Sequence, residues 1–295
     1  MADIKIKNRL RSRIKNFEYR VKAHVAFELG ITRCLPKPEL TLQLSMAEHC
    51  NLNCAGCSHF SPLAEPEFAD YEETARDLAR LSSLFHGHAK EIRLEGGEPL
   101  LHPDLVKFLK MIRENFPDAA IGIVTNGVLI LNQTEEFWQA CRENNVTIGV
   151  TKYPVPLKFK EMEKRAADHG VEYYYFSDSR TTVKTMRFPK MDVKGLQEGR
   201  RSFLLCKLGN SCVRLQHGRL YTCPIIPSAR HFNKRFGETF KELPEDSIDI
   251  YQAGSGREIL EFLAKPVPFC RYCRDDKTRW FQPWRQSERK MEEWT

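Results

Sequence analysis

The stretch CNLNCAGC at residues 50–57 places three cysteines, Cys50, Cys54 and Cys57, within eight residues. It follows residues 40–46, in which apolar side chains occupy every second position, a period typical of a β-strand. Three neighbouring thiolates do not complete the four-ligand shell of a structural zinc, but they suit a 4Fe-4S cluster whose fourth iron is open to an exogenous ligand. The sequence therefore predicts a cluster-binding loop directly after a strand.

Strand and helix patterns alternate after this loop. Strand-like runs occur near residues 92–94, 120–125, 146–151 and 171–177, and helical patterns lie between them at 69–85, 103–112, 135–143 and 159–169. Asp70 and Glu73 are spaced like a helix-capping pair. This alternation predicts an α/β fold with a parallel sheet and right-handed crossovers, forming a barrel or partial barrel. Functional residues should then lie at the carboxyl ends of the strands.

Two further motifs lie at predicted strand ends. Gly96, Gly97 and Glu98 follow the second strand, and Thr125 and Asn126 end the third. Glycine lets a backbone approach another group closely, and a glutamate supplies a hydrogen-bond acceptor. A structural zinc knot beside an ordinary glycine turn is the alternative interpretation of the cysteine loop and the glycine pair.

The Cys-x3-Cys-x2-Cys spacing and the Gly-Gly-Glu motif resemble the radical S-adenosylmethionine (radical SAM) superfamily. This resemblance implies a partial (β/α)6 barrel and a 4Fe-4S cluster on Cys50, Cys54 and Cys57. It also implies that the open iron is chelated by S-adenosylmethionine (SAM), which one electron from the cluster cleaves to a 5'-deoxyadenosyl radical. An electron donor such as flavodoxin or ferredoxin is the implied partner.

The resemblance also implies roles at the cofactor. Gly96, Gly97 and Glu98 would bind the methionine amino group, and Thr125 and Asn126 would face the cofactor. Family members usually carry an aromatic residue before the third cysteine, where it contacts the adenine, whereas this chain has Gly56. His59 or Phe60 is the candidate substitute.

A second cysteine set lies in the C-terminal third of the chain. It consists of Cys206, Cys223, Cys270 and Cys273, with a predicted hairpin at 211–216 and 219–222 between the first two. The set resembles the twitch subclass, a shortened SPASM extension, which implies an auxiliary 4Fe-4S cluster that is fully ligated by protein. Zinc bound by four cysteines fits the same ligand count and stays open as the alternative.

Three cysteines belong to neither set. Cys34 precedes the predicted barrel, and Cys141 lies in a predicted helix, where a buried thiol usually acts as a small apolar side chain. Cys212 opens the predicted hairpin. It is interpreted as an alternative cluster ligand, a packed thiol or a hydrogen-atom donor, and we treat it as the candidate catalytic residue.

The patterns divide the chain into three parts. Residues 1–38 are predicted as a basic amphipathic helical extension, 39–200 as the radical SAM partial barrel, and 201–295 as a twitch/SPASM-like auxiliary-cluster subdomain with a C-terminal tail. The basic helix is expected to dock on its own domain, with contact to an anionic membrane surface as the less favoured alternative.

Composition narrows the class of protein. The 295 residues include 46 Lys and Arg against 39 Asp and Glu, a net charge of +7 that is modest for a dedicated nucleic-acid binder. The sequence contains no long apolar run and no secretory pattern at its N-terminus, so we expect an unprocessed cytoplasmic protein. In that compartment ten cysteines indicate metal or redox chemistry rather than disulfides.

The predicted substrate is a small molecule, a sugar or an aminocyclitol, because twitch-type relatives act on hydroxyl-bearing carbons of such compounds. Epimerisation with Cys212 as donor is favoured slightly over two-electron dehydrogenation, and peptide modification is a further alternative. Lys152 could meet a carboxylate or phosphate at a strand end. Aromatic side chains that could stack on a sugar ring are Tyr153, Tyr173, Tyr174, Tyr175, Trp280 and Trp284.

Overall fold

The computed structural model describes residues 36–175, 185–186, 190–274 and 282–295. The predicted N-terminal helix, Cys34 and Trp280 lie outside these ranges. Within them, no helix combines the length and the apolar character needed to cross a membrane.

Most described strands form one sheet. The strands are β1 (Thr41–Ala47), β2 (Glu91–Gly96), β3 (Ala120–Thr125), β4 (Val146–Val150), β5 (Tyr173–Tyr175), β6 (Thr185–Met186), β7 (Arg214–Gln216), β8 (Arg219–Tyr221), β9 (Ser247–Asp249) and β10 (Gln282–Pro283). The sheet has the order β5-β4-β3-β2-β1-β7-β8-β9, and β6 pairs with β10 separately. The first six strands in that order run parallel, whereas β8 and β9 are antiparallel. The predicted α/β partial barrel is thereby confirmed as an open, mostly parallel sheet.

Helices cover one side of this sheet. The described helices are α1 (Tyr71–Phe85), α2 (Leu105–Asn115), α3 (Glu135–Glu143), α4 (Phe159–Asp168), α5 (Gly199–Leu205), α6 (Ile225–Phe236) and α7 (Gly256–Leu263). Residues of α1 to α4 and of α7 form the core with the sheet, whereas α6 packs in a second core. The predicted cap of the first helix is confirmed, because the Asp70 side chain accepts a 2.7 Å hydrogen bond from the Glu73 amide. Such a cap is worth about 1 kcal/mol to the helix.

The two faces of the sheet differ in character. The helix-covered face is apolar and includes Leu42, Leu44, Ile92, Leu94, Ile121, Ile123 and Ile148. Residues that alternate with these form the opposite face, here called the polar face: Thr41, Gln43, Ser45, Glu91, Arg93, Glu95, Gly122, Val124, Thr147, Gly149 and Tyr174. A sheet with one polar face and polar strand ends is suited to holding a ligand there.

The predicted hairpin is confirmed as β7 and β8, joined by a turn at His217 and Gly218 with positive φ values of 49° and 68°. β7 pairs in parallel with β1, so the hairpin extends the main sheet. A second hydrophobic core lies between the cysteine loop and the C-terminal part, and its largest side chains are Phe60, Phe232, Phe240, Phe269 and Trp294. This core joins the two cysteine-bearing regions.

Candidate functional site

The strand-end motifs meet around one cavity of about 250 Å³. Its walls carry all three loop cysteines. They also carry the glycine pair of the second motif and both residues of the third, whereas Glu98 is not among the lining residues. The lining residues include Cys50, Cys54, Cys57, His59, Glu95, Gly96, Gly97, Thr125, Asn126 and Tyr153. The structure therefore brings the loop cysteines, the glycine pair, Thr125 and Asn126 together at the carboxyl ends of the strands.

Close backbone packing explains the glycines of the second strand. The amide of Gly97 donates to the carbonyl of Ala47 at 2.7 Å, and the amide of Glu98 donates to the carbonyl of His49 at 3.2 Å. A Cβ atom on Gly97 would lie 2.0 Å from the His49 carbonyl oxygen. The end of β2 thus packs directly against the start of the cysteine loop. A larger residue at position 97 would displace the loop backbone.

Glu98 lies behind the cavity wall. Its side chain is fully buried, and its two oxygens accept hydrogen bonds from the Thr125 hydroxyl at 2.6 Å, the Asn126 amide at 2.9 Å and the Leu100 amide at 3.1 Å. The carboxylate therefore ties the end of β2 to the end of β3. Direct acceptance of a hydrogen bond from the methionine ammonium stays a prediction.

Asn126 connects that strand end to the cysteine loop. Its side-chain amide donates to Asn51 Oδ1 at 2.7 Å and to Cys50 Sγ at 3.6 Å. Its Oδ1 accepts from the Val128 amide at 2.9 Å. Because both ends of the side-chain amide are used, Asn126 holds the first cysteine of the loop in a defined position.

The chemistry of the loop thiols fits cluster ligation. Burial raises the pKa of Cys50 and of Cys54 to about 12, so each thiolate needs a bound cation to be stable. The Leu52 amide already donates to Cys50 Sγ at 3.4 Å, as donors to ligating sulfur do. Among the described residues, no three His, Cys, Asp or Glu side chains are arranged to hold a single metal ion. A 4Fe-4S cluster takes one thiolate per iron, and the loop supplies three.

The segment 282–295 covers the cysteine loop. Backbone hydrogen bonds run from Ala55 to Arg285 at 3.0 Å and from Ser287 to Asn53 at 2.8 Å. The indole N–H of Trp294 donates to the Cys57 carbonyl at 2.9 Å. The indole N–H of Trp284 donates to Cys54 Sγ at 3.1 Å, and stacking of this ring on a sugar stays a prediction.

We expect Trp284→Phe to lower the midpoint potential of a cluster bound at this loop. An N–H donor to a ligating sulfur stabilises the more negative, reduced cluster, and losing one neutral hydrogen bond should shift the potential by tens of millivolts. An anaerobic redox titration followed by EPR measures the shift, with Trp138→Phe, in the core of α3, as the control. An unchanged potential would show that the Trp284 hydrogen bond has no influence on the sulfur.

The structure separates the two candidates for the missing aromatic position. Gly56 has φ of 68°, a left-handed conformation that disfavours an aromatic residue there. Phe60 is 1% exposed and packs edge-on against Phe232 at 5.6 Å, so its predicted contact with the adenine is wrong. His59 lines the cavity and is the remaining candidate.

The second cysteine set is also brought together. The negative charge of a Cys206 thiolate would raise the pKa of each of the other three, which places all four within electrostatic reach. The amides of Leu208 and Gly209 each donate to Cys206 Sγ at 3.3 Å. The auxiliary cluster itself stays a prediction, for which this grouping provides a suitable donor set.

The remaining thiols occupy different surroundings. Cys141 is fully buried in α3, as expected for a packed thiol. Cys212 precedes β7, at the end where the parallel strands begin, and its thiol interacts with Gln43, Lys37 and Glu95. Burial raises the pKa of Cys212 to about 11, so the group is a protonated thiol at neutral pH. It is absent from the described wall of the cavity.

The other polar and aromatic candidates are distributed over the fold. Tyr153 lines the cavity and lies beside Cys54, whereas Tyr174 is on the polar face of β5. Tyr173 and Tyr175 pack with the main core. The Lys152 ammonium lies 4.5 Å from the centre of the Tyr175 ring.

Two functional features were missed by the sequence analysis. Glu48, directly before the loop, is buried and accepts hydrogen bonds from Arg214, from His231 at 2.8 Å and from Ser45 at 3.1 Å. Glu95 faces the cavity next to Gly96. The alternation of β2 could have indicated Glu95, because residues 91, 93 and 95 share one face, but no local signal marks the partners of Glu48.

Comparisons with known proteins agree with this geometry. Residues 44–183 match the family described as the Radical SAM superfamily. GTP 3',8-cyclase of Campylobacter lari is 29% identical over 124 residues, which are 41% of this chain and 38% of that protein. Molybdenum cofactor biosynthesis protein 1 of Bos taurus is 31% identical over 147 residues, which are 49% of this chain and 23% of that protein. The chain thus spans well under half the length of these relatives.

Among solved structures, BtrN in complex with AdoMet and 2-DOIA superposes with a TM-score of 0.50 at 22% identity, covering 81% of this chain and 94% of that one. That likeness extends the shared fold beyond the segment matched by the family. The three loop cysteines, the glycine pair and the cavity around them thus lie within residues 44–183, the segment that matches the Radical SAM superfamily.

Proposed function

We propose that this protein cleaves SAM reductively and uses the resulting radical to remove hydrogen from a hydroxyl-bearing carbon of a sugar or aminocyclitol. The observation that carries the proposal is the single cavity in which the loop cysteines, Gly96, Gly97 and Asn126 meet. When bound, the loop cluster supplies the electron that cleaves SAM, and an auxiliary cluster supplies an acceptor for the electron released by substrate oxidation.

The protein's own residues position these reactants. Cys50, Cys54 and Cys57 would ligate the loop cluster and leave one iron for the cofactor. The backbone of Gly96 and Gly97 would approach the methionine group, held there by its close packing against Ser45, Ala47 and His49. Glu98 holds that backbone in place through its bonds to Thr125 and Asn126. The covering segment 282–295 excludes water from the loop side.

Dehydrogenation is the reaction that the geometry supports best. The Cys212 thiol interacts with Lys37, before β1, and thus lies toward the strand ends opposite the cavity. The same thiol is within electrostatic reach of Cys206, one member of the second cysteine set. A cluster on that set would provide an electron acceptor for substrate oxidation.

Epimerisation is the second candidate, and one observation favours it. Cys212 is protonated and lies within electrostatic reach of Glu95, which lines the cavity. A substrate extending along the polar face past Glu95 would approach this thiol, which could return a hydrogen atom to the opposite face of the carbon.

Turnover in heavy water separates the two reactions. We expect reconstituted protein with SAM and dithionite to form 5'-deoxyadenosine, and a panel of glucose, glucosamine, myo-inositol and 2-deoxystreptamine to contain a compound that is oxidised to a ketone. Cys212→Ala should still yield the ketone, because dehydrogenation needs no thiol donor. Mass spectrometry of products and of 5'-deoxyadenosine provides the measurement.

The opposite outcomes are equally clear. An inverted product that carries one deuterium, and that disappears in Cys212→Ala, would establish epimerisation, since a thiol exchanges its proton with solvent before it donates hydrogen. Absence of 5'-deoxyadenosine from protein with an intact loop cluster would contradict the proposed function as a whole.

A further inference from the structure

Glu95 is a carboxylate that lines the cavity and has one oxygen without a hydrogen-bond partner. It lies on the polar face of β2, next to Gly96, and lines the cavity together with the loop cysteines. Its Oε1 is buried and accepts no hydrogen bond from the residues that the structure describes. An unpaired buried acceptor is destabilising, so its presence in a cavity-lining side chain favours a ligand that supplies a donor.

The contrast with Glu98 shows that an unpaired carboxylate oxygen is not a general property of this strand end. The carboxylate of Glu98, three residues later, accepts from Thr125, Asn126 and Leu100 and has no contact with the cavity. Glu98 thus has a structural set of donors, whereas Glu95 lines the cavity and keeps one oxygen without a donor.

Neighbouring donors on the polar face are already engaged. The guanidinium of Arg93 binds Glu91, with Nε to Oε1 at 2.7 Å. The guanidinium of Arg214 binds Glu48, and the Ser45 hydroxyl, which is level with Glu95 on β1, donates to the same Glu48. Each of these guanidinium groups thus hydrogen-bonds to another carboxylate, while its charge still favours the ionised form of Glu95.

A second open acceptor lies beside it. Gln43 is level with Arg93 on β1, one step along the same face, and its Oε1 is also buried without a described partner. Two acceptors on adjacent strands, one of them a carboxylate, would match a ligand with at least two donors, of which one carries positive charge.

We propose that Glu95 binds a protonated amino group of the substrate, and that Gln43 accepts a hydrogen bond from a neighbouring hydroxyl group of the same molecule. This inference rests on the proposed function and narrows its substrate class to amine-bearing polyols. Burial raises the pKa of Glu95 to about 7, and an ammonium group would favour its ionised form. A charge-assisted hydrogen bond of this kind is roughly twice as strong as a neutral one.

Three sugars that share a pyranose ring and differ in charge provide the test. Glucosamine, glucose and glucuronate are titrated by anaerobic calorimetry into reconstituted protein that is saturated with SAM and not reduced. We expect glucosamine to bind most tightly. Glu95→Gln should weaken glucosamine binding about tenfold or more and leave glucose binding unchanged, because only the charge of one side chain is removed.

Controls keep the outcome specific. Glu136→Gln, on the exposed side of α3, should bind all three sugars as the parent does. Circular dichroism and iron content verify that Glu95→Gln is folded and loaded, and Glu95→Asp, which retains the charge, should preserve the preference for glucosamine.

Several results would overturn the inference. One is equal glucosamine affinity in Glu95→Gln and the parent. Another is a parent protein with no preference for the cationic sugar, which includes a parent that binds none of the three sugars. A third is a loss of SAM affinity in Glu95→Gln as large as its loss of glucosamine affinity. The last would place Glu95 in the cofactor site instead. Because binding is measured without turnover, failure here is distinct from failure to form 5'-deoxyadenosine.

Discussion

Replacing Cys50, Cys54 and Cys57 together with alanine is expected to abolish 5'-deoxyadenosine formation and to leave about half of the iron, as predicted for loss of one of two four-iron clusters. All three residues line the cavity. Among the described residues, no cysteine outside the loop lines this cavity and could replace them as a ligand. Iron and sulfide analysis of anaerobically reconstituted protein measures the first effect, and chromatography of the reaction with SAM and dithionite measures the second.

Cys141→Ala is the matched control, because this thiol is buried in α3 away from both cysteine sets. It should keep all the iron and form 5'-deoxyadenosine normally. Zinc in place of the iron that remains in the triple variant would contradict the auxiliary cluster. Persistent SAM cleavage in the triple variant would remove the loop from the reaction.

Replacing Glu48 with alanine is expected to destabilise the fold by about 3–5 kcal/mol, since it leaves a buried guanidinium without its counter-charge. Arg214 is 2% exposed and Glu48 is 6% exposed, and the pair joins the end of β1 to β7 and, through His231, to α6. Urea unfolding of parent and variant, followed by fluorescence under identical anaerobic conditions, gives the difference in free energy.

Glu67 offers a comparison in the same neighbourhood. It pairs with Arg230 at 2.7 Å, but both side chains are about two-fifths exposed, so Glu67→Ala should cost no more than about 1 kcal/mol. The double variant Glu48→Gln with Arg214→Met should recover part of the loss, because the unpaired charge is gone. Equal stabilities of Glu48→Ala and Glu67→Ala would show that the buried pair contributes no more than an exposed one.

Local patterns predicted the parts of the fold that depend on near neighbours in sequence. The period-two run before the cysteine loop became β1, the helix at Glu135–Glu143 has the predicted bounds, and the cap at Asp70 is in place. The strand-end position of Gly96 and Asn126 followed from the same reasoning, because the carboxyl ends of parallel strands share one edge.

Features that depend on distant contacts were not predictable. The pairing of β7 with β1 joins residues about 170 positions apart, and a single sequence contains no signal for such a register. The same holds for the hydrogen bond from Trp284 to Cys54, which joins residues 230 positions apart. The sequence alone does not distinguish Glu95 from Glu98. Their surroundings do, because Glu98 is surrounded by donors behind the wall, whereas Glu95 lines the cavity with one oxygen unpaired.

The covering segment also has a consequence during synthesis of the protein. The cysteine loop at residues 50–57 emerges from the ribosome long before residues 282–295 are translated. Asn53 and Ala55 nevertheless form hydrogen bonds with the backbone of that late segment, and the Cys57 carbonyl accepts one from the Trp294 indole. Until then the loop has an exposed side, through which iron and sulfide can be delivered. Closure by the late segment would then retain what has been inserted, so the order of translation coincides with the order in which a metal site has to be filled and sealed.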